Sequence, residues 1–149
     1  MVHEDRLWVQ PGGSIAGYVW GDLPNKSNQR KIGRVRGRPI IMKSKEALEI
    51  EERFKTIVSA SDLGPAAPLV GATSQDDVKR GIPFLFLDVT VYGKSFARDL
   101  DCELLPDLLQ KNGVINNDRA IRRKAYRWVH DPKSPRVEFE VGVVPRIEG

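Results

Sequence analysis

Residues 82–111 read IPFLFLDVTVYGKSFARDLDCELLPDLLQK. Over 82–92, β-branched and aromatic residues alternate so that Leu85, Leu87, Val89 and Val91 share one face, as a central or half-buried strand requires. After the link 93–99, residues 105–111 read as a short helix, with Pro106 tolerated in its first turn and Gly113 two residues past its end. Upstream, SIAGYVW (14–20) follows Pro11, Gly12 and Gly13 and is closed off by Pro24, which predicts a first strand. Residues 45–59 place Ala47, Ile50, Phe54, Ile57 and Val58 at helical spacing. Glu46, Glu49, Glu51, Glu52 and Lys55 fall on the other side, and Ser44 suits the N-cap. Residues 61–81, rich in Gly, Pro and Ser, read as a long surface loop. Downstream, 119–129 and 136–144 read as a last pair of strands joined by the turn DPKSP. The order β-α-β-α-β-β predicts an α+β (mixed α/β) fold: a small single domain over 1–149, its helices packed on one mixed sheet. Residues 1–13 are expected to be a loose N-terminal extension.

The chain has 149 residues, with 24 Lys plus Arg against 20 Asp plus Glu and 40% hydrophobic residues. That length suits one domain, and that apolar content suits a buried core. The apolar stretch 82–87 is far short of the ~20 apolar residues that span a membrane. In MVHEDRLWVQ, acids stand where a signal peptide has a basic and then an apolar region, so a cytoplasmic protein is expected. The single cysteine, Cys102, forms no internal disulfide. With only His3 and His130 beside it, zinc chemistry and Cys/His catalysis are not expected. The positive charge is concentrated: residues 26–38 hold Lys26, Arg30, Lys31, Arg34, Arg36 and Arg38 with no acid. Gly33 and Gly37 disfavour a helix there, so the segment reads as a flexible or hairpin-like loop suited to DNA phosphates.

The residues able to carry chemistry cluster after the central strand: Arg98, Asp99, Leu100 and Asp101, then Asn117 and Asp118 beyond the helix. Asp99 and Asp101 are two apart, so in an extended segment their carboxylates project to one side, and the helix can return Asp118 toward them. Three hard oxygen donors suit Mg²⁺ or Mn²⁺. Among so many Lys and Arg residues the anion to be activated is a phosphodiester, and a two-metal site stabilises both the attacking water and the leaving oxygen. The functional reading is a metal-dependent nuclease. Solvated loop acids, or a helix cap at Asp101, would produce the same D-x-D pattern.

The stretch ARDLDCELLPDLLQKNGVINNDRAI (97–121) resembles the core motif of the RusA family of Holliday junction resolvases. In that family a D-x-D-N pair opens a helix, which ends in a glycine turn leading to a D-D or N-D pair. PNKSNQR (24–30) is similar to the family's Pro, Ser, Asn and Arg loop after the first strand, and the helix from Lys45 matches in position. The resemblance spans 14–144; its specific parts are the acidic motif and the asparagine loop. It implies a RusA-like fold, and Asp99, Asp101 and Asp118 as ligands of Mg²⁺ (or Mn²⁺). Arg98 would lie beside the scissile phosphate. The loop 25–38, with Asn25, Lys26, Asn28, Arg30, Lys31, Arg34, Arg36 and Arg38, would contact DNA. The implied enzyme is a homodimer that nicks a four-way junction symmetrically on paired strands, in DNA recombination and repair. RusA-like genes are frequent in phages and prophages. Two departures stand out: Cys102 replaces the family's Asn, and Glu103 or Leu105 stands where the family has a catalytic lysine one turn into the helix. Lys94, Arg98 or Lys124 is expected to supply that cation instead. A basic junction or nucleic-acid binding protein without catalysis, and a nuclease for forks and flaps, are the other readings.

Glu103 reads either as a fourth acid at the metal or as an acid favoured by the helix N-terminus. Gly93, Lys94 and Ser95 match the end of a P-loop, but that motif needs Gly at position 88, where Asp88 stands, and no nucleotide cofactor is expected. Asp88 falls on the face away from Leu85, Leu87 and Val89, where it either reaches the site or meets solvent. Alternation puts Arg119, Arg123 and Arg127 on one face of the next strand and Arg122 and Lys124 on the other, one of the two tracking phosphates. Trp8, Trp20 and Trp128 read as packing residues and His130 as a surface histidine.

Overall fold

The computed structural model describes residues 4–21, 30–35, 38–43, 45–93 and 103–145. Its centre is the strand β5 (Leu85–Gly93), flanked on both sides by β6 (Ile121–His130) and β7 (Arg136–Val143). Leu85, Leu87 and Val89 are fully buried, while Phe86, Asp88, Thr90 and Tyr92 between them are half-buried on the opposite face. The expected alternation holds. The strand begins at Leu85 rather than Ile82 because Pro83 has no N–H for a ladder; its carbonyl instead accepts from the Ala72 N–H at 2.8 Å.

Two further strands, β1 (Arg6–Val9) and β2 (Ile15–Trp20), complete an open five-stranded mixed sheet in the order β1-β2-β7-β5-β6. Only β5 and β6 run parallel; the other pairs are antiparallel. A parallel neighbour needs a crossover connection, which here includes the helix α3 (Leu104–Lys111). The last two strands are not hydrogen-bonded to each other, because β5 lies between them and their connection passes over its end. There the Asp131 N–H donates to the Gly93 carbonyl at 3.0 Å.

The expectation of a loose 1–13 extension is corrected, since residues 6–9 form the edge strand. Asp5 anchors it: its carboxylate accepts from Arg53 Nε at 2.6 Å, Arg53 Nη2 at 2.7 Å and the Trp20 backbone N–H at 2.7 Å. This carboxylate ties the strand to β2 and to the helix α1 (Lys45–Ala60), which spans the predicted range. Ile50, Phe54 and Ile57 of α1 are buried, and its end is held to β1 by Ser61 Oγ, which accepts from the Leu7 N–H at 3.3 Å. Within the basic segment, β3 (Arg30–Val35) and β4 (Arg38–Lys43) form an antiparallel hairpin. Pro39 is tolerated there because a two-stranded ribbon has only edge strands.

The segment 61–81 is more structured than a surface loop. It contains a 3-10 turn at Gly64–Ala66 and a short helix, α2 (Gln75–Lys79), capped by Ser74. Its middle is pinned by Asn116, whose side-chain amide exchanges two 3.0 Å hydrogen bonds with the Gly71 backbone. The protein is a mixed α+β domain with one core, in which Leu104, Leu105, Leu108 and Leu109 of α3 pack with Phe54, Leu85 and Leu87. No helix among the described residues is long and apolar enough to cross a membrane.

Candidate functional site

The site is built at the two ends of α3 and the start of β6. Every leucine of α3 is buried, so the helix has a single seating on the sheet. Pro106 stands in its first turn, where no intrahelical N–H is required. At the other end Gly113 takes φ +71°, and the Val114 N–H reaches back to the Leu109 carbonyl at 2.9 Å. That six-to-one bond is the glycine-closed helix terminus; it turns the chain so that Val114 and Ile115 enter the core.

Asp118 follows and is doubly positioned. Gln110 of α3 accepts the Asp118 backbone N–H through Oε1 at 2.9 Å, and Asn117 Oδ1 accepts the Arg119 N–H at 2.9 Å. These bonds set the 3-10 turn Asp118–Ala120, which leads into β6. The predicted strand 119–129 therefore starts two residues later, at Ile121. Asn117, read only as a partner of Asp118, is the cap of this turn.

Asp118 opens into a cavity of about 440 Å³. Its charged lining consists of Arg119, Arg122 and Lys124 on one side of the ledger and Glu103, Asp107 and Asp118 on the other. Lys124 Nζ is 3.3 Å from Glu103 Oε2, and the Tyr126 hydroxyl donates to Glu103 Oε1 at 3.3 Å. Glu103 thus faces Lys124 and Tyr126 of β6. Thr73 reaches the same cavity from the segment ahead of α2. It is held by Asp77, whose carboxylate accepts from the Thr73 N–H at 3.0 Å and its hydroxyl at 3.2 Å. The Thr73 backbone bond is the main reason the Asp77 carboxyl titrates below the ordinary range.

A β-bulge decides which arginines join Asp118. Leu85 pairs with Ile121, but the next residue of β5, Phe86, pairs with Arg123. Arg122 is the extra residue. In an unbroken ladder it would stand opposite Phe86, on the outer face; the bulge keeps Arg122 and then Lys124 on the α3 side. Arg123 and Arg127 lie on the outer face instead, Arg123 stacked 5.0 Å over the Phe86 ring and Arg127 Nη1 3.5 Å from Thr90 Oγ1. Arg119 parts company with them because it sits in the 3-10 turn, where strand alternation does not apply.

Asp118 and Lys124 are therefore brought together, with Glu103 beside them. Asp99, Asp101, Arg98, Lys94 and Cys102 lie outside the described residues, as do Asn25, Lys26, Asn28, Arg36 and Ser44. Arg30, Lys31, Arg34 and Arg38 belong to the β3–β4 hairpin, where Arg30 pairs with Lys43 and Arg34 with Pro39. Asp88 pairs with Ala125 and Glu140 on the outer face, away from the cavity. Among the described residues, no group of three or more His, Cys, Asp or Glu side chains is placed to hold a metal. The tryptophans pack as expected: Trp8 meets Tyr18 edge-on at 4.8 Å, Trp20 Nε1 donates to the Glu4 carbonyl at 2.9 Å, and Trp128 covers Gly93. Arg119, Arg122 and Thr73 were not assigned to the site from sequence. Alternation along the strand groups Arg122 with Lys124 but does not say which face meets the site, Arg119 sits in a turn, and Thr73 belongs to a segment without periodicity.

No family model matches the chain, and no curated protein matches it.

Proposed function

We propose that the protein is a metal-dependent endodeoxyribonuclease of the RusA type, which resolves four-way junctions or other branched DNA by paired nicks. The observation that carries this reading is Asp118: a half-buried carboxylate at the glycine-closed end of α3, in a cavity it shares with Arg119, Arg122 and Lys124. No hydrogen bond or ion pair from the described residues engages its side chain. A hard oxygen donor with no side-chain partner among the described residues suits Mg²⁺ or Mn²⁺, and Asp99 and Asp101, close before Glu103 in the chain, are the other ligands proposed. Such an ion, when bound, supplies charge neutralisation at a phosphoryl oxygen and activation of water.

The chain's own residues supply the rest. Lys124 stands at the cavity as the cation proposed to replace the family's helix lysine, and Glu103 orients its ammonium. Arg98, Lys94 and the basic segment 25–38 are proposed to engage the DNA backbone. The enzyme is proposed to act as a homodimer in the cytoplasm of a bacterium or a phage-infected host. The pairing of Lys124 with Glu103 also supports a second reading, a non-catalytic junction binder, since a lysine held by a carboxylate gives up part of its pull on a phosphate.

The test is incubation of the protein with a labelled four-way junction, a fork, a flap and a linear duplex, in Mg²⁺, in Mn²⁺ and in EDTA. Paired symmetric nicks in the junction, absent in EDTA and absent for Asp118→Asn and Asp101→Asn, are expected; both variants should bind the junction as tightly as the wild type or more so. Metal-independent binding with no nicks on any substrate would leave the binding module as the correct reading. Cleavage by Asp118→Asn at the wild-type rate would show that the site is elsewhere.

A further inference from the structure

We propose that Arg119 and Arg122 form a subsite for one backbone phosphodiester of DNA, aimed into the Asp118 cavity by the bulge in β6. The identity of the anion as DNA rests on the nuclease reading above; the subsite itself rests on the geometry of these two guanidinium groups.

The first observation is commitment. Four arginines elsewhere in the described structure are committed to partners: Arg53 on Asp5, Arg136 on Asp131 and Glu138, Arg123 on the Phe86 ring, Arg6 on the Trp8 ring. Lys124 is held by Glu103. Arg119 and Arg122 line the cavity, and among the described residues neither forms an ion pair or a side-chain hydrogen bond. Asp118 lines the same cavity, yet no ion pair joins it to either arginine. Two guanidinium groups therefore face a common space without collapsing onto the nearest carboxylate.

The second observation is the bulge. It costs the sheet one ladder position between Leu85 and Phe86, and its effect is to move Arg122 from the outer face to the cavity. Bulges are recurrent devices for re-aiming one side chain beside a site. Arg119 arrives from the other direction, on the 3-10 turn that Gln110 and Asn117 hold. Two planar forks converging from different backbone segments match the oxygens of a phosphodiester, which accept paired N–H donors. A carboxylate of an acidic protein partner offers similar oxygens. DNA is favoured because the chain carries an excess of basic residues, and residues 26–38 hold six cations and no acid.

The subsite is tested with the full chain in EDTA, where no metal contributes. Binding of a four-way junction and of a linear duplex is followed by fluorescence anisotropy across a salt series. Arg119→Ala combined with Arg122→Ala should lower the slope of log affinity against log salt by about 0.9, the loss of one phosphate contact, and each single alanine variant should lose part of that. Arg122→Lys keeps the charge and should keep the slope while binding more weakly, because the fork is gone. Arg123→Ala, on the outer face of the same strand, should leave the slope unchanged. Thermal unfolding of each variant separates lost contact from lost fold; these side chains are exposed, and unchanged midpoints are expected. Wild-type slopes in both alanine variants, or an equal loss in Arg123→Ala, would overturn the subsite, as would preferential binding of polyglutamate over DNA. Nicking that survives with wild-type slopes would sink the subsite and leave the nuclease; slope losses in a protein that never nicks would keep the subsite and sink the nuclease.

Discussion

At the scale of single residues, Lys124 and Glu103 make a testable couple. If Lys124 supplies the cation at the phosphate, Lys124→Ala should slow single-turnover nicking about 10²-fold or more, the usual loss for one preorganised donor. Junction affinity should fall far less. Glu103→Gln should not mimic this loss, because it removes only the carboxylate that holds the ammonium. A second residue-scale prediction concerns acid stability. Arg136 Nη1 donates to Asp131 Oδ2 at 2.9 Å, and this bond is the leading cause of an Asp131 carboxyl that titrates below its ordinary value. A carboxyl lowered by folding contributes stability that is complete above its unfolded value, about 4, and is lost as pH falls through the lower folded value. The melting temperature of the wild type should therefore decline below about pH 4, and Asp131→Asn should show a lower neutral plateau with a shallower decline. An unchanged decline would mean that other carboxylates, such as Asp77 on Thr73, govern acid unfolding.

At the scale of elements, the packing of β2 against β7 is set by a glycine. Gly17 pairs with Phe139 across the two strands, and a Cβ at Gly17 would lie 2.4 Å from the tip of the Phe139 ring. That ring is buried and packs against Phe54 at 6.5 Å, so it has little room to retreat. Gly17→Ala should destabilise the protein by about 1–3 kcal/mol, the range for overpacking, seen in urea unfolding as a lower midpoint with an unchanged slope. The elements also show what was legible in sequence. β2, β5, β7, α1 and α3 were all readable, because each buries a face whose period is written in consecutive residues. The strand at Arg6–Val9 was not, since four residues carry too short a pattern and the anchor Asp5–Arg53 joins positions 48 apart. The start of β6 was misplaced by two residues because the 3-10 turn depends on Gln110, a side chain of the preceding helix.

At the scale of the whole molecule, α1 and α3 pack against the core side of the sheet. The cavity sits at the α3 end of β6, an edge strand of the sheet among the described residues. Symmetric cleavage of a junction requires two such cavities related by a two-fold axis. Light scattering of the free protein should then give twice the 16.8 kDa of one chain, and titration of a junction should saturate at two chains per four-way branch. A protein that is monomeric both free and on the junction would exclude paired nicking by one complex.

The sequence by itself determined the class of fold, the helices α1 and α3 and most strands, together with Asp118 and Lys124 as site candidates. These follow from local periodicity and from residue types that keep their chemistry wherever they are placed. Only the tertiary structure decided that β5 separates β6 from β7, that Glu103 meets Lys124, and that the face carrying Arg122 and Lys124 is the one that lines the Asp118 cavity. Strand order and register are settled by which faces can be buried together across the whole sheet. One unpaired residue in a ladder then shifts which residues meet across it, here Arg123 rather than Arg122 opposite Phe86, which no pattern within β6 alone could announce.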